Sequence, residues 1–204
     1  VFHIQEAAAF MTDISQVIGS PPLETRDRSP LSEPCIMIIF GASGDLTKRL
    51  LVPALYNLAC DGLLSDNFAV LGTATRALTT ETFRENMSSD DQGIRKFHTR
   101  STFDAAIWDK LVSRFHYVSG AFDHSNTFKE LREKVAQLDA QYQTGGNVLF
   151  YFATAPKFFG LLCENLYQAG FKEGGGWKRI VVEKPFGTDT ESARRLNAEV
   201  LAHW

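Results

Sequence analysis

The chain has 204 residues, of which 44% are hydrophobic, so it can bury one substantial core but has little room for a second domain of that size. A formal net charge of −3 argues against the concentrated basic surface that electrostatic nucleic-acid binding requires. No apolar run approaches the roughly 20 residues that span a bilayer, and the start of the chain lacks a secretory signal pattern. We therefore expect a cytoplasmic protein with neither a membrane nor a nucleic acid as partner.

Residues 1–34 are predicted to form a helix followed by a proline-rich linker. The segment 4–18 carries one apolar stripe at helical spacing, and Gly19 and the stretch 21–34 then interrupt it. Such a stripe is typical of a helix that covers a domain surface, although docking on a partner stays open. Because the chain begins with Val1 and ends on Trp204 without a polar tail, we expect it to be part of a longer protein.

The three cysteines, Cys35, Cys60 and Cys163, contain no CxxC pair and fit neither a disulfide framework nor a zinc site. Each lies in or beside an apolar stretch, so we expect thiols that pack as small hydrophobic side chains in a reducing compartment. No metal site is predicted.

From residue 35 onward, strand-length apolar runs alternate with segments of helical period. The runs cover 36–40, 68–72, 115–118, 148–152 and 179–182, and the helical segments cover 46–60, 80–88, 104–113, 126–142, 157–169 and 188–202. This alternation is typical of βαβ units, whose crossovers require a parallel sheet that is covered on both faces. We predict a doubly wound, Rossmann-like α/β fold in which ligands bind beyond the carboxyl ends of the strands.

A glycine-containing turn directly follows the first predicted strand. Its sequence is GASGDL at 41–46, and Lys48 and Arg49 add positive charge. Glycines at such a junction let the backbone approach a pyrophosphate, which amide groups at a helix N-terminus can hold. The spacing differs from the usual G-x-G-x-x-G, so a plain tight turn is the alternative. Pro53 predicts a helix that is kinked or restarts near that residue.

The end of the second predicted strand indicates which nicotinamide cofactor is preferred. NAD sites usually carry an acidic residue there for the ribose 2′-hydroxyl, but this chain reads Gly72-Thr73-Ala74-Thr75-Arg76. Hydroxyl groups and a guanidinium suit a 2′-phosphate better, which favours NADP. A solvated loop arginine is the alternative for Arg76.

Two longer motifs, GASGDLTKRLLVPALYNL at 41–58 and IVVEKPFGTDTESARRLN at 180–197, make the chain resemble the N-terminal half of the glucose-6-phosphate dehydrogenases. The segments 117–120 and 152–156 resemble the same family, so the likeness extends from about residue 35 to the end. It implies that residues 35–204 form an NADP-binding domain and that a catalytic, substrate-binding domain lies outside this chain.

The resemblance also implies site residues. Gly41, Ser43, Gly44, Asp45 and Leu46 would cradle the NADP phosphates, and Lys184 would reach both the substrate and the nicotinamide. Further cofactor contacts are implied at Thr75, Arg76, Ala153, Pro156 and Glu183. The family usually has arginine where Thr75 stands, and here the arginine is displaced by one position to Arg76, so use of NAD beside NADP stays open.

The implied activity is the oxidation of glucose 6-phosphate to 6-phosphogluconolactone with reduction of NADP, the first step of the pentose phosphate pathway, in a homodimer or homotetramer. The family's general base is a histidine in an Asp-His pair about thirty residues after the EKP segment, which would lie beyond Trp204. None of the chain's histidines stands in such a motif: His3, His98, His116, His124 and His203. We therefore expect the chain alone to be inactive. An NADP sensor without catalysis and an enzyme similar to glucose–fructose oxidoreductase are the alternatives.

Overall fold

The computed structural model describes residues 31–184, 187 and 189–204. Five strands in this part form one parallel sheet in the order β3-β2-β1-β4-β5. The strands are β1 (Cys35–Phe40), β2 (Phe68–Ala74), β3 (Phe115–Ser119), β4 (Val148–Phe152) and β5 (Lys178–Val182). The helices are α1 (Val52–Cys60), α2 (Thr80–Ser88), α3 (Ile94–Phe97), α4 (Ala105–Val112), α5 (Ser125–Tyr142), α6 (Phe159–Gln168) and α7 (Thr190–Leu201). The predicted helix 4–18 lies outside the described residues.

The doubly wound α/β fold predicted from the alternation is confirmed. Every residue of β1 and β2 is buried, as in a sheet covered on both faces. Side chains alternate between two cores: Met37 and Ile39 belong to one, whereas Ile36, Ile38 and Phe40 belong to the other. The chain order reverses between β1 and β4, and this switch point is where ligands bind in open α/β sheets.

Most element boundaries agree with the predicted ones to within two residues. β2 continues to Ala74 because its pairing with β3 extends to Ala74 opposite Ser119. The irregularity predicted near Pro53 is a π-helical turn, Thr47–Leu51, which leads directly into α1 while Leu51 and Val52 keep helical backbone angles. Pro53 lies next to this turn, so the altered hydrogen bonding coincides with the residue that has no N–H to donate. The short helix α3 was not predicted.

Residues near the predicted linker boundary at 34 contact the sheet domain. The Ser32 N–H donates to the Leu63 carbonyl (2.8 Å), and the Asn147 side-chain amide donates to the Pro34 carbonyl (2.9 Å). The division of the chain into 1–34 and 35–204 stays a prediction, since residues 1–30 are not described.

The cysteines pack as expected. Cys35 and Cys163 are buried, Cys60 is half-buried, and all three are free thiols. Burial raises the pKa of Cys35 to about 11 and that of Cys163 to about 12, so neither is a reactive thiolate at neutral pH. Within residues 31–184, 187 and 189–204, no helix has the length and apolar character needed to cross a membrane.

Candidate functional site

The turn after β1 is fixed between the ends of β2 and β4. Gly41 adopts φ +90°, and a Cβ at this position would overlap the carbonyl oxygen of Ala153, so only glycine fits. The N–H groups of Gly41 and Ala42 both donate to the Thr73 carbonyl, at 2.9 and 3.1 Å. The Gly44 N–H donates to the Gly41 carbonyl at 2.9 Å and closes the turn. The sequence thus places a tightly held backbone loop at the switch point.

Two clefts open at this carboxyl edge of the sheet, each with a volume of about 570 Å³. The strand-end cleft lies between the ends of β1, β2 and β4, and its walls include Gly41, Gly44, Thr75, Ala153, Phe122, Phe158 and Leu161. The cationic pocket lies beside the end of β2, and its walls are Ser43, Asp45, Lys48, Arg49, Arg76, Asp91, Gln92, Lys96 and Phe97. Ser43 lines both clefts and so links them. A linked pair of this kind matches an elongated ligand with two different ends.

The cationic pocket has four basic side chains against two carboxylates. Arg49 is partly neutralised, because its guanidinium pairs with Asp45 (Nη1 to Oδ2, 3.1 Å) and lies 5.6 Å from the centre of the Phe97 ring. In the described part of the chain, Lys48, Arg76 and Lys96 have no ion-pair partner. The excess of positive charge favours an anionic ligand group, although the whole chain is acidic.

Tyr117, in β3, holds the segment that carries Arg76 in place through hydrogen bonds to its backbone. Its hydroxyl donates to the Arg76 carbonyl at 2.8 Å, and the Ala74 carbonyl lies at 3.3 Å. Burial raises the pKa of Tyr117, while Ser43 and the charge of Arg76 act in the opposite direction. Tyr117 lies in the family-like segment 117–120 and had no predicted role, because a contact with the neighbouring strand depends on register.

The EKP segment follows β5 at the same edge of the sheet. The hydroxyl of Tyr151, in β4, donates to the carboxylate of Glu183, and burial together with this carboxylate raises the pKa of Tyr151. Lys184 is exposed and lines neither cleft. Its neighbours Pro185 and Phe186 lie outside the described residues.

The structure brings most of the predicted site residues together. Gly41, Ser43, Gly44, Thr75 and Ala153 line the strand-end cleft, and Asp45 and Arg76 line the cationic pocket. Leu46 and Pro156 line neither of these two clefts; Pro156 begins a 3-10 turn, Pro156–Phe158, beside a smaller groove that includes Arg195. Neighbouring side chains after a strand point in different directions, and Thr75 and Arg76 accordingly face different clefts.

Sequence reasoning missed one wall of the cationic pocket. Asp91, Gln92, Lys96 and Phe97 come from α3 and the loop before it. The four residues of α3 are too few to show a helical period, so the sequence pattern did not predict this helix.

Comparisons with known proteins agree with this arrangement. A family model described as "Glucose-6-phosphate dehydrogenase, NAD binding domain" matches residues 38–204. The chain is 41% identical over 187 residues to glucose-6-phosphate 1-dehydrogenase 2 of Mycobacterium bovis, covering 90% of this chain and 36% of that protein. It is 41% identical over 172 residues to glucose-6-phosphate 1-dehydrogenase of Chlamydia muridarum, covering 82% and 33%. The chain thus spans about a third of the length of the curated relatives it matches.

Solved structures show the same likeness. A glucose-6-phosphate dehydrogenase in complex with its substrate glucose 6-phosphate matches with a TM-score of 0.74 at 29% identity, over 86% of this chain and 35% of that one. Glucose-6-phosphate 1-dehydrogenase from Mycobacterium avium matches with a TM-score of 0.69 at 33% identity, over 85% and 34%. The matched family model names an NAD-binding domain, which supports a nicotinamide dinucleotide as cofactor. The chain belongs to the glucose-6-phosphate dehydrogenase family.

Proposed function

We propose that this chain is the NADP-binding part of a glucose-6-phosphate dehydrogenase, which oxidises glucose 6-phosphate to 6-phosphogluconolactone. The observation that carries the proposal is the linked pair of clefts at the switch point of a chain that belongs to this family. The relatives' names and the substrate-bound structure support the choice of substrate.

The residues at the carboxyl edge fit a dinucleotide. The missing Cβ of Gly41 leaves the backbone turn close to Ala153, and Ser43 stands where the two clefts meet, a place suited to a pyrophosphate. The cationic pocket would hold the phosphorylated adenosine end, and the more apolar strand-end cleft, with Phe122 and Phe158 in its walls, would hold the nicotinamide end.

NADP is the proposed form of the cofactor because Arg76 lines the cationic pocket and because Thr75, the one residue between β2 and Arg76, is not acidic. A 2′-phosphate can accept charge-assisted hydrogen bonds from a guanidinium, whereas a free 2′-hydroxyl gains little from one. Arg76 thereby takes the role that the family resemblance gives to the position of Thr75, which faces the other cleft.

The chain's own residues give a partial mechanism. NADP, when bound, would supply the hydride acceptor at the nicotinamide C4. Lys184 would hold the sugar with its ammonium group, and Tyr151 would fix Glu183, directly before it in the chain. Among the described residues no histidine lines either cleft, so the proton of the C1 hydroxyl would pass to a base outside them.

The assembly and the setting are part of the same proposal. A homodimer or homotetramer and a cytoplasmic location follow from the resemblance, and the three free cysteines are compatible with a reducing compartment. The position of the reaction at the start of the pentose phosphate pathway has the same support.

The test uses the native protein purified from its source. We expect NADPH absorbance to rise when glucose 6-phosphate and NADP are both present, and not when unphosphorylated glucose replaces the substrate at equal concentration. Cofactor binding without any turnover would contradict the enzyme assignment and favour the alternative, an NADP sensor.

A further inference from the structure

One wall of the cationic pocket is formed by α3 and the loop before it. This segment is firmly placed. Ile94 is fully buried in the core, and α3 packs against both the π-helical turn Thr47–Leu51 and α1. A Cβ on Gly93 would lie 2.5 Å from the Met87 carbonyl oxygen, so the loop is packed too closely for a larger residue. The outward residues of α3 are therefore held beside the turn that follows β1.

Two of those outward residues, Lys96 and Phe97, form one cluster with Arg49. The Lys96 ammonium lies 5.5 Å and the Arg49 guanidinium 5.6 Å from the centre of the Phe97 ring. Contact with an aromatic ring stabilises a cation, so the ring helps to hold both charges at the pocket. In the described residues Lys96 has no carboxylate partner, whereas Arg95, the preceding residue, pairs with Asp90 at 3.3 Å.

A phosphate monoester carries a charge of about −1.5 to −2 at neutral pH, which one guanidinium does not balance. Arg76 supplies one cation from the end of β2, and Arg49 is already paired with Asp45. Lys96 lines the same pocket from a different element, α3. A phosphate that contacts both Arg76 and Lys96 would have its charge balanced by two cations.

We propose that α3 is part of the cofactor site and determines specificity: Lys96 is a further cation for the 2′-phosphate of NADP, supported by Phe97. The inference rests on the proposed function, because it names a further contact to the same cofactor. It assigns a segment that lies between the second and third strands in the chain and is not part of the two sequence motifs that identify the family.

The test measures dissociation constants for adenosine 2′,5′-bisphosphate and adenosine 5′-monophosphate by calorimetry, for the chain and three variants. Lys96→Ala should raise the dissociation constant of the bisphosphate about three- to fivefold and leave that of the monophosphate unchanged. Lys96→Arg should retain the affinity. The matched control is Lys110→Ala, which removes an exposed lysine that pairs with Asp66 and lines neither cleft, and it should change nothing. The difference between Lys96→Ala and the unchanged chain should shrink as salt is added.

The possible results separate the two proposals. If the unchanged chain binds the bisphosphate and Lys96→Ala behaves like Lys110→Ala, the role of Lys96 is wrong while the NADP site stands. An equal loss for both nucleotides would also overturn it, because the contact would not be to the 2′-phosphate. If the unchanged chain binds neither nucleotide, both the proposed function and this inference are wrong.

Discussion

The position of Gly41 combines a positive φ with close contact to the Ala153 carbonyl, and a residue with a side chain cannot satisfy both. We predict that Gly41→Ala lowers the free energy of unfolding by about 2–3 kcal/mol and weakens the binding of NADP, because the turn must move. Urea denaturation and calorimetry measure the two effects. Gly62→Ala is the matched control: Gly62 has φ +66° but open space around its Cβ position, so only the backbone strain remains, at about 1 kcal/mol. Equal losses in both variants would show that the contact with Ala153 is unimportant.

Arg76 is the residue on which the choice of cofactor depends. Arg76→Ala should weaken the binding of NADP by about 1.5–3 kcal/mol, the usual range for a charge-assisted hydrogen bond, and leave the binding of NAD almost unchanged. Comparing the two dissociation constants by calorimetry checks this. Arg179→Ala serves as control, since Arg179 is exposed, pairs with Glu33 and lines neither cleft. A similar loss for both cofactors would be the wrong result for a 2′-phosphate contact.

At the scale of elements, β3 carries a buried histidine whose ionisation opposes folding. Burial, together with the charges of Arg84 and Lys134, lowers the pKa of His116 to about 4, and its Nε2 lies 3.1 Å from the Tyr142 hydroxyl. In the unfolded chain the pKa is about 6.5, so below that value the unfolded state binds a proton that the folded state does not. The contribution of His116 to stability is thus complete above about pH 6.5 and is lost as the pH falls toward 4.

His116→Asn removes this titration. Between about pH 7 and about pH 5, the unchanged chain should lose about 1 kcal/mol more free energy of unfolding than His116→Asn. Urea denaturation at both values gives the difference, and the carboxylates that also lose stability in acid cancel because both proteins have them. Parallel losses would mean that His116 is as accessible to protons when folded as when unfolded.

The elements that the sequence predicts well are those with a local signature, such as an apolar run or a proline. β1 and the first part of β2 are apolar runs of strand length, and the irregular helical turn before α1 lies where Pro53 predicts one. By contrast, α3 is placed by the burial of Ile94 and by the crowding at Gly93, neither of which has a local signature. The same holds for Tyr117, whose bond to the Arg76 carbonyl exists only because β2 and β3 pair in one register.

At the scale of the whole molecule, the site is assembled from turns that are far apart in the chain. The rule that ligands bind beyond the carboxyl ends of parallel strands located Gly41 and Arg76 from sequence, whereas Ala153 came from the family resemblance. It could not show that Thr75 and Arg76 face different clefts, since side-chain direction depends on where β2 ends. Lys184 stays a prediction in its role, because it lines neither cleft and the turn beyond it is not described.

We predict that the 204 residues by themselves bind NADP but do not oxidise glucose 6-phosphate at a useful rate. General-base catalysis commonly contributes about 10²–10⁴-fold, and no described histidine lines either cleft. The assay is NADPH formation by the purified chain, with the native protein as positive control. Turnover within about tenfold of that control would show that the base lies among these residues.

Titration of the chain with NADP, followed by backbone amide chemical shifts, tests whether the two clefts at the carboxyl edge are the dinucleotide site. We predict large shift changes at Gly41, Ser43, Gly44, Arg76 and Ala153, and almost none at the opposite edge of the sheet, where Gly146 and Lys178 lie. Changes concentrated at that opposite edge, or no changes at saturating NADP, would contradict this assignment.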